Sequence, residues 1–372
     1  MRIAQVTPRG VHPYSGLLAS LVQLSIALAK RGLEVEVWQL HGWPEENRGF
    51  TEALEENGVE LVTVDAGTSP RRLSAEAVRQ IGRRRVDGAH LHGVFNPTNN
   101  LLAKRLDVPY VVSPHGGYAA ESLDFHRFRK VAFKYLFELP MLRRAAAMIA
   151  LSQQESGEVQ RFGYRDRVAV IPNGAVPAPK DLDESAFRTE LGLDGTTRLA
   201  VYAGRIDISA KRLDRVVRAV AGNERWHLAL LGGDFRHGIG DVTALAAKLG
   251  AADRVHLPGP RRGRALYEAL RAADAFVLIS RSEGMPMALL EALAAGTPAV
   301  VSAEVDRAIG VSSAGAGWVT EPDGLSSLLD RLGNLSSEEW GLRRSAAVAV
   351  ASQYDWSNVA GAYEDLYQQV FA

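Results

Sequence analysis

Short apolar runs alternate with helically spaced ones along this chain, and the alternation runs through twice. RIAQVTP (2–8) is too short for a buried helix and reads as a strand. The loop RGVHPYSG (9–16) follows, and then LLASLVQLSIALAKRG (17–32), whose apolar residues recur at helical spacing up to a glycine stop. EVEVWQL (34–40) returns as a strand and completes a βαβ unit. Further strands are expected at ELVTVD (60–65), GAHLHGV (88–94), PYVVSP (109–114) and AMIALS (147–152). The second half repeats the plan: RLAVYAGR (198–205), helix RLDRVVRAV (212–220), strand HLALLGG (227–233), then RVHLPG (254–259) and helix GRALYEALRAA (263–273). Strand AFVLIS (275–280), helix PMALLEALAA (286–295) and strand PAVVS (298–302) follow. Such alternation implies an α/β fold with parallel sheets covered on both faces.

IPNGAVPAPKDLDE (171–184), with three prolines and no apolar period, divides the halves. The expected architecture is two doubly wound, Rossmann-like domains, 1–176 and 177–354, facing one another across a cleft. YDWSNVAGAYEDLYQQVFA (354–372) reads as a final aromatic-rich helix. Ligands of such sheets bind outside the carboxyl ends of the strands.

Composition excludes several classes. Lys+Arg and Asp+Glu both number 43, so no global field draws the chain to nucleic acid. Cysteine is absent, which removes disulfides and thiolate ligands and fits a reducing compartment. There is no run of eighteen apolar residues, and MRIAQVTPRG enters a strand without a signal core. A soluble, cytoplasmic protein is expected.

SEGMPMALLEALAAGTPAVVS (282–302) carries only two charges, Glu283 and Glu291, and the second sits in a run apolar enough for a core. A carboxylate there needs a partner, because burying an unpaired charge is costly. Ser282, Glu283 and Gly284 fall at the carboxyl end of a strand. Pro286 suits the first position of the next helix, and Gly296 with Pro298 its end. The N–H groups of Gly284, Met285 and Met287 are then available to ligand oxygens at the helix's positive end. Periodicity alone equally allows Glu291 on a solvated helix face and Glu283 as an ordinary N-terminal charge.

The stretch from Glu283 to Val300 resembles the E-x7-E signature of family 4 of the retaining, GT-B fold glycosyltransferases. Other landmarks of that family occur in order. SPHG (113–116) resembles its S-x-H-G loop, LSQQE (151–155) its S/T-x-x-E element, and IPNG (171–174) its own I-P-N-G. AGRIDISAKRLD (203–214) resembles G-R-x(4–5)-K-G-x-D, with Arg212 where glycine is usual, and the closing DW…LY resembles the family's last helix. In that fold this helix (355–372 here) commonly packs back on the N-terminal domain.

The resemblance implies roles. Glu291 would accept from the ribose hydroxyls of a nucleotide sugar, and Glu283 would hold donor-sugar hydroxyls beside Gly284, Met285 and Pro286. Arg205 and Lys211, after Gly204, would clamp the diphosphate, as a dianion needs paired positive charge. His115 would bind the transferred sugar near the reacting carbon. His115, Glu283, Arg205 and Lys211 are thus the candidate catalytic set. Gly16, Ser152 and Asn173 would line the donor site, with Ser15-Gly16 standing where a Gly-Gly pair is usual. The backbone around Leu257–Gly259 would face the base.

His90 and His92 share a strand face without an evident third ligand, so no metal is expected. Asp181 and Asp183 form an Asp-x-Asp within the proline linker and read as solvated. The segment 121–145 carries Arg127, Arg129, Lys130, Lys134, Arg143 and Arg144 among Phe and Leu. It reads either as a connecting helix or as a basic amphipathic helix for peripheral contact with the inner face of a membrane.

The expectation is a retaining, metal-independent glycosyltransferase using a UDP- or GDP-sugar and no cofactor. Its acceptor would be a hydroxyl of a sugar, a lipid-linked glycan or a small molecule, in polysaccharide, glycolipid or glycoside synthesis. The rival readings are a nucleotide-sugar phosphorylase or epimerase of the same fold, and a non-catalytic partner of an active homologue.

Overall fold

The structure is a computed structural model, and it describes residues 1–11, 15–40, 42–67, 72–120, 123 and 127–372. The chain divides into two compact units, one of Met1–Gly174 with Trp356–Ala372, the other of Ala175–Asp355.

The first unit is built on a seven-stranded sheet ordered β3-β2-β1-β4-β5-β6-β7. Its strands are β1 (Arg2–Thr7), β2 (Glu34–Leu40), β3 (Glu60–Val64), β4 (Gly88–His92), β5 (Tyr110–Ser113), β6 (Ala147–Ala150) and β7 (Val168–Val170). Every pairing is parallel. The chain winds outward from β1 to β3 and then returns to lay β4 beside β1. At that reversal the connecting loops part, which opens a crevice at the carboxyl ends.

The second unit repeats the winding with six parallel strands ordered β10-β9-β8-β11-β12-β13. They are β8 (Arg198–Ala203), β9 (Trp226–Leu231), β10 (Val255–His256), β11 (Ala275–Leu278), β12 (Ala299–Val301) and β13 (Gly317–Val319). Here β8 and β11 are the neighbours at the reversal.

The sequence reading omits β7 and β13. Each is three residues long and an outermost strand, too short to show a period. Strand β11 stops at Leu278, two residues before the expected end, because its register with β12 runs out at Leu278–Val301. Pro286 is the N-cap rather than the first helical residue: its ψ of 120° is extended, and the helix is Met287–Ala294. Asp183, read as solvated, caps helix Glu184–Glu190 by accepting from the N–H groups of Ser185 and Ala186.

Two sequence landmarks of the first unit meet through packing. A Cβ on Gly174 would lie 2.2 Å from the Trp356 ring, so only glycine lets the last helix, Trp356–Phe371, start against this segment. That helix covers one face of the sheet and is pinned to helix Gly16–Lys30 by the Arg31–Glu364 ion pair at 2.6 Å.

Candidate functional site

In the second unit the residues singled out gather at the β8/β11 reversal. The loop after β8 holds Gly204, Arg205 and Lys211, and the loop after β11 holds Glu283 to Pro286. A backbone bond from Arg281 N–H to Ala210 O, 3.3 Å, ties the two loops together. Across them Lys211 Nζ pairs with a Glu283 carboxylate oxygen, with both side chains mostly buried. Such a pair loses hydration on both sides, and each charge offsets the burial of the other.

Arg205 lies with its guanidinium carbon 4.5 Å from the Phe235 ring centre, which limits its sweep. Its carbonyl accepts from the buried Tyr202 hydroxyl at 2.8 Å. Burial raises that phenol well above its ordinary range, and the nearby Glu283 carboxylate adds to the effect. The loop after β9 presses on this one: a Cβ on Gly232 would sit 1.8 Å from Gly204 O. Phe235 belongs to that loop and was absent from the sequence reading; the glycine pair ending LALLGG was the signal available.

Arg212 adopts φ 51°, ψ 36°, the left-handed conformation that glycine takes without strain. The backbone path around Lys211 is therefore the one a glycine would allow, with an arginine held in it.

Helix Met287–Ala294 starts behind Glu283. The N–H groups of Gly284, Met287 and Ala288 have no protein acceptor among the described residues, and Met285 makes an interaction of its own. Ala288 thus joins the free donors expected from the sequence. The Glu291 side chain, on the second turn, has neither hydrogen bond nor ion pair among the described residues. Part of its side chain stays open to solvent, yet protein crowds the carboxyl, and desolvation pushes it up to about 7. Leu257 and Gly259 follow β10 at the sheet edge, two strands from β8.

In the first unit His115 follows β5 with φ 51°, next to Gly116. Glu155, one turn into helix Gln153–Phe162, reaches back to accept from the Gly116 N–H and, at 2.6 Å, from Leu151 N–H. Burial raises this carboxyl to about 7 despite those bonds. Ser152 caps the same helix, accepting from Glu155 N–H at 3.2 Å. Asn173 is buried, and its side-chain oxygen accepts from Ser20 at 2.6 Å. Both have local structural partners. Gly16 opens its helix with a free N–H among the described residues; residues 12–14 of its loop lie outside them.

His90 and His92 are buried with ring centres 3.9 Å apart. All four of their nitrogens contact protein atoms: His90 meets Tyr367 and Ser113, and His92 meets His115 and Gln5, at 2.7–2.9 Å. Burial holds both well below the ordinary histidine range and takes His115 down to about 4, so the rings are neutral near pH 7.

Within 121–145, residues 121–122 and 124–126 lie outside the described structure. Helix Arg127–Phe133 runs into a π-helical turn, Lys134–Glu138, and then Leu139–Leu142. Glu138 anchors the turn from beneath, accepting from Phe95 N–H, Asn100 and the Tyr118 hydroxyl. Above it Tyr135 and Leu136 are 64% and 65% exposed, and Val131 and Phe137 are exposed as well.

Two family models match the chain: "Glycosyl transferase 4-like domain" over residues 15–174 and "Glycosyl transferases group 1" over 183–348. The chain is 28% identical to the GDP-mannose:cellobiosyl-diphosphopolyprenol alpha-mannosyltransferase of Xanthomonas oryzae pv. oryzae, covering 85% of this chain and 89% of that one. It is also 28% identical to the D-inositol 3-phosphate glycosyltransferase of Xylanimonas cellulosilytica, covering 97% and 93%. Anabaena Alr3699/HepE, solved in complex with UDP and glucose, superposes with a TM-score of 0.79 at 20% identity, covering 99% and 100%. With consecutive models spanning both sheets, the chain belongs to the family 4 glycosyltransferases and has the GT-B fold.

Proposed function

We propose that the protein moves a glycosyl unit from a UDP- or GDP-sugar to an acceptor hydroxyl, with retention at the anomeric carbon and without a divalent metal. The observation that carries this reading is the unpartnered Glu291 carboxyl, on the second turn of the helix that follows the Lys211–Glu283 pair and the free N–H groups of Gly284, Met287 and Ala288. A ribose diol supplies the two donors that carboxylate lacks. A diphosphate takes the helix N-terminus, Arg205 and Lys211, releasing Glu283 to the donor sugar's hydroxyls.

As the anomeric C–O bond breaks, its electron pair leaves with the diphosphate. The acceptor oxygen bonds the same face of the carbon, and its proton passes to the departing phosphate oxygen. Neutral His115 fits a hydrogen bond to the sugar, and the protein's part is positioning and charge stabilisation. The GDP-mannose in one relative's name and the UDP and glucose bound by one neighbour support a nucleotide-sugar donor. Thermal shifts across UDP-, GDP-, ADP- and TDP-sugars should single out one class, because only a specific ligand stabilises by linkage. Proton NMR of the product should then show the donor's anomeric configuration; an inverted product, or no nucleotide sugar bound, would sink the reading.

We further propose a lipid-linked acceptor, met at a bilayer surface through the exposed Tyr135–Phe137 turn. Flotation with phosphatidylglycerol vesicles, lost on replacing Tyr135, Leu136 and Phe137 by Ser, tests this. Equal binding by the triple variant would remove the membrane role.

A further inference from the structure

Lys211 and Arg205 stand in the same loop after β8 and are held by opposite means. Lys211 is paired with the Glu283 carboxylate, whose charge opposes an incoming anion. The Arg205 guanidinium has no hydrogen bond or ion pair among the described residues; its carbon lies 4.5 Å from the centre of the Phe235 ring. A ring face attracts a cation through its quadrupole and takes up none of the five N–H donors. Arg205 is thereby steadied without a counter-charge to displace, and its N–H groups stay free for an oxyanion.

The loop that carries Phe235 is fitted closely to the loop that carries Arg205. Beyond the last paired residues of β8 and β9 the two segments keep their parallel register. Gly204 N–H donates to Leu231 O and Ile206 N–H to Gly233 O, both at 3.0 Å, and Ile206 bridges Asp234. The approach is as close after Phe235 as before it: a Cβ on Gly238 would lie 1.9 Å from Ile206 O. Past the ring the chain turns through two consecutive left-handed residues that bear side chains, Arg236 at φ 55° and His237 at φ 64°. Such residues rarely enter that region. The turn is closed by Asp234, which accepts from Ile239 N–H at 2.9 Å, and by Phe235 O, which accepts from Gly238 N–H at 3.1 Å. Backbone strain of this kind persists only where the surrounding contacts over-determine it. The ring is thus fixed relative to the arginine it supports.

We propose that Phe235 is a positioning residue for the transfer reaction, its ring holding the Arg205 guanidinium ready for the donor's diphosphate before the donor arrives. The contact stands on geometry within the second unit, and its purpose rests on the donor reading given above. Donors arranged in advance need no reorganisation as charge develops on the leaving group, so loss of the ring is felt in the transition state. The Arg236 guanidinium carbon lies 5.1 Å from the centre of the same ring, so the effects of the two arginines must be told apart.

Phe235→Leu removes the π face and keeps an apolar side chain, whereas Phe235→Tyr keeps the face. Arginine ¹⁵N labelling of the full chain, with Arg205 assigned from Arg205→Lys, reads the contact directly. The Arg205 Nε–H proton should be shifted upfield by the ring in the wild type and in Phe235→Tyr, and should return to the ordinary range in Phe235→Leu. Release of UDP from UDP-glucose or GDP from GDP-mannose gives the second readout. Phe235→Leu should lower kcat roughly tenfold with a smaller change in donor KM, and Phe235→Tyr should restore it. In an Arg205→Ala background Phe235→Leu should have no further effect, because the ring then has no Arg205 cation to hold. The same loss in that background would mean that the ring acts through Arg236 or through the fold, and overturns the proposal. So does an unmoved Arg205 resonance, or an unchanged kcat, in Phe235→Leu. A wild type that binds neither UDP nor GDP by calorimetry sinks the donor reading and this role with it. Normal nucleotide binding with no effect of Phe235→Leu removes the role of the ring alone.

Discussion

Lys211 and Glu283 are 72 residues apart in sequence and form an ion pair at the reversal of the second sheet, with side chains 18% and 14% exposed. Each charge is the other's counter-ion. On the proposed reading a bound diphosphate takes Lys211 from Glu283, and the freed carboxylate meets the sugar hydroxyls.

Glu283→Gln should separate these events. The anion no longer competes with a carboxylate for Lys211, so UDP or GDP alone should bind at least as tightly as to the wild type by calorimetry. Turnover should fall, because the sugar loses a charged acceptor. A variant with weakened nucleotide binding and normal kcat would contradict the exchange.

Negative charge grows on the diphosphate as the glycosidic bond breaks, so a cation there favours the transition state over the bound donor. Arg205→Ala and Lys211→Ala should each lower kcat at saturating donor by about 10²–10³, or ~3–4 kcal/mol. Arg205→Lys should recover part of the loss, lacking the planar fork. The double variant should fall short of the product of the two. Near wild-type kcat in either alanine variant would make that residue a bystander.

The Glu291 carboxyl, raised to about 7 by desolvation, must be ionised to serve ribose best. Donor affinity should accordingly improve as pH rises between about 6 and 8 and flatten above. The sign is opposite for the free protein. A folded-state pKa above the unfolded one contributes stability below the unfolded value, and this contribution is lost as pH rises through about 7. Glu291→Gln should abolish the pH slope of donor binding and raise KM with kcat nearly intact. An unchanged slope by titration calorimetry would show that Glu291 does not meet the donor.

On the proposed reading Arg205, Lys211 and the free helix N–H groups take the place of a metal at the diphosphate, so turnover should persist in excess EDTA. Loss of activity on chelation, restored by Mg²⁺ or Mn²⁺, would refute the metal-free reading.

Arg212 holds a left-handed backbone that costs a residue bearing a Cβ about 1–2 kcal/mol. Arg212→Gly relieves that strain but adds chain entropy, so stability should be unchanged or raised by up to about 1 kcal/mol, with kcat retained. A clear drop in thermal stability would mean that the arginine side chain, rather than the backbone, matters here.

Local pattern in the sequence placed most of the elements, the short edge strands β7 and β13 excepted. Strand β2 (34–40) and the helices following β8, β10 and β11 fall within a residue or two of their expected bounds, because apolar periodicity and glycine stops are properties of neighbouring residues. The E-x7-E spacing likewise places Glu291 on the second turn behind Glu283 by helix geometry alone. Contacts between distant segments were not encoded locally. That Lys211 meets Glu283 follows from β8 and β11 being neighbours, a result of winding direction that no single segment carries. Gln5, His90, His92 and Tyr367 are scattered polar residues until the register and the last helix bring them together. Burial then compels them to satisfy one another, since a buried donor or acceptor left unpaired costs more than the bond itself contributes. Chain chemistry settled which elements form, and the packing of those elements settled which charges and protons face each other.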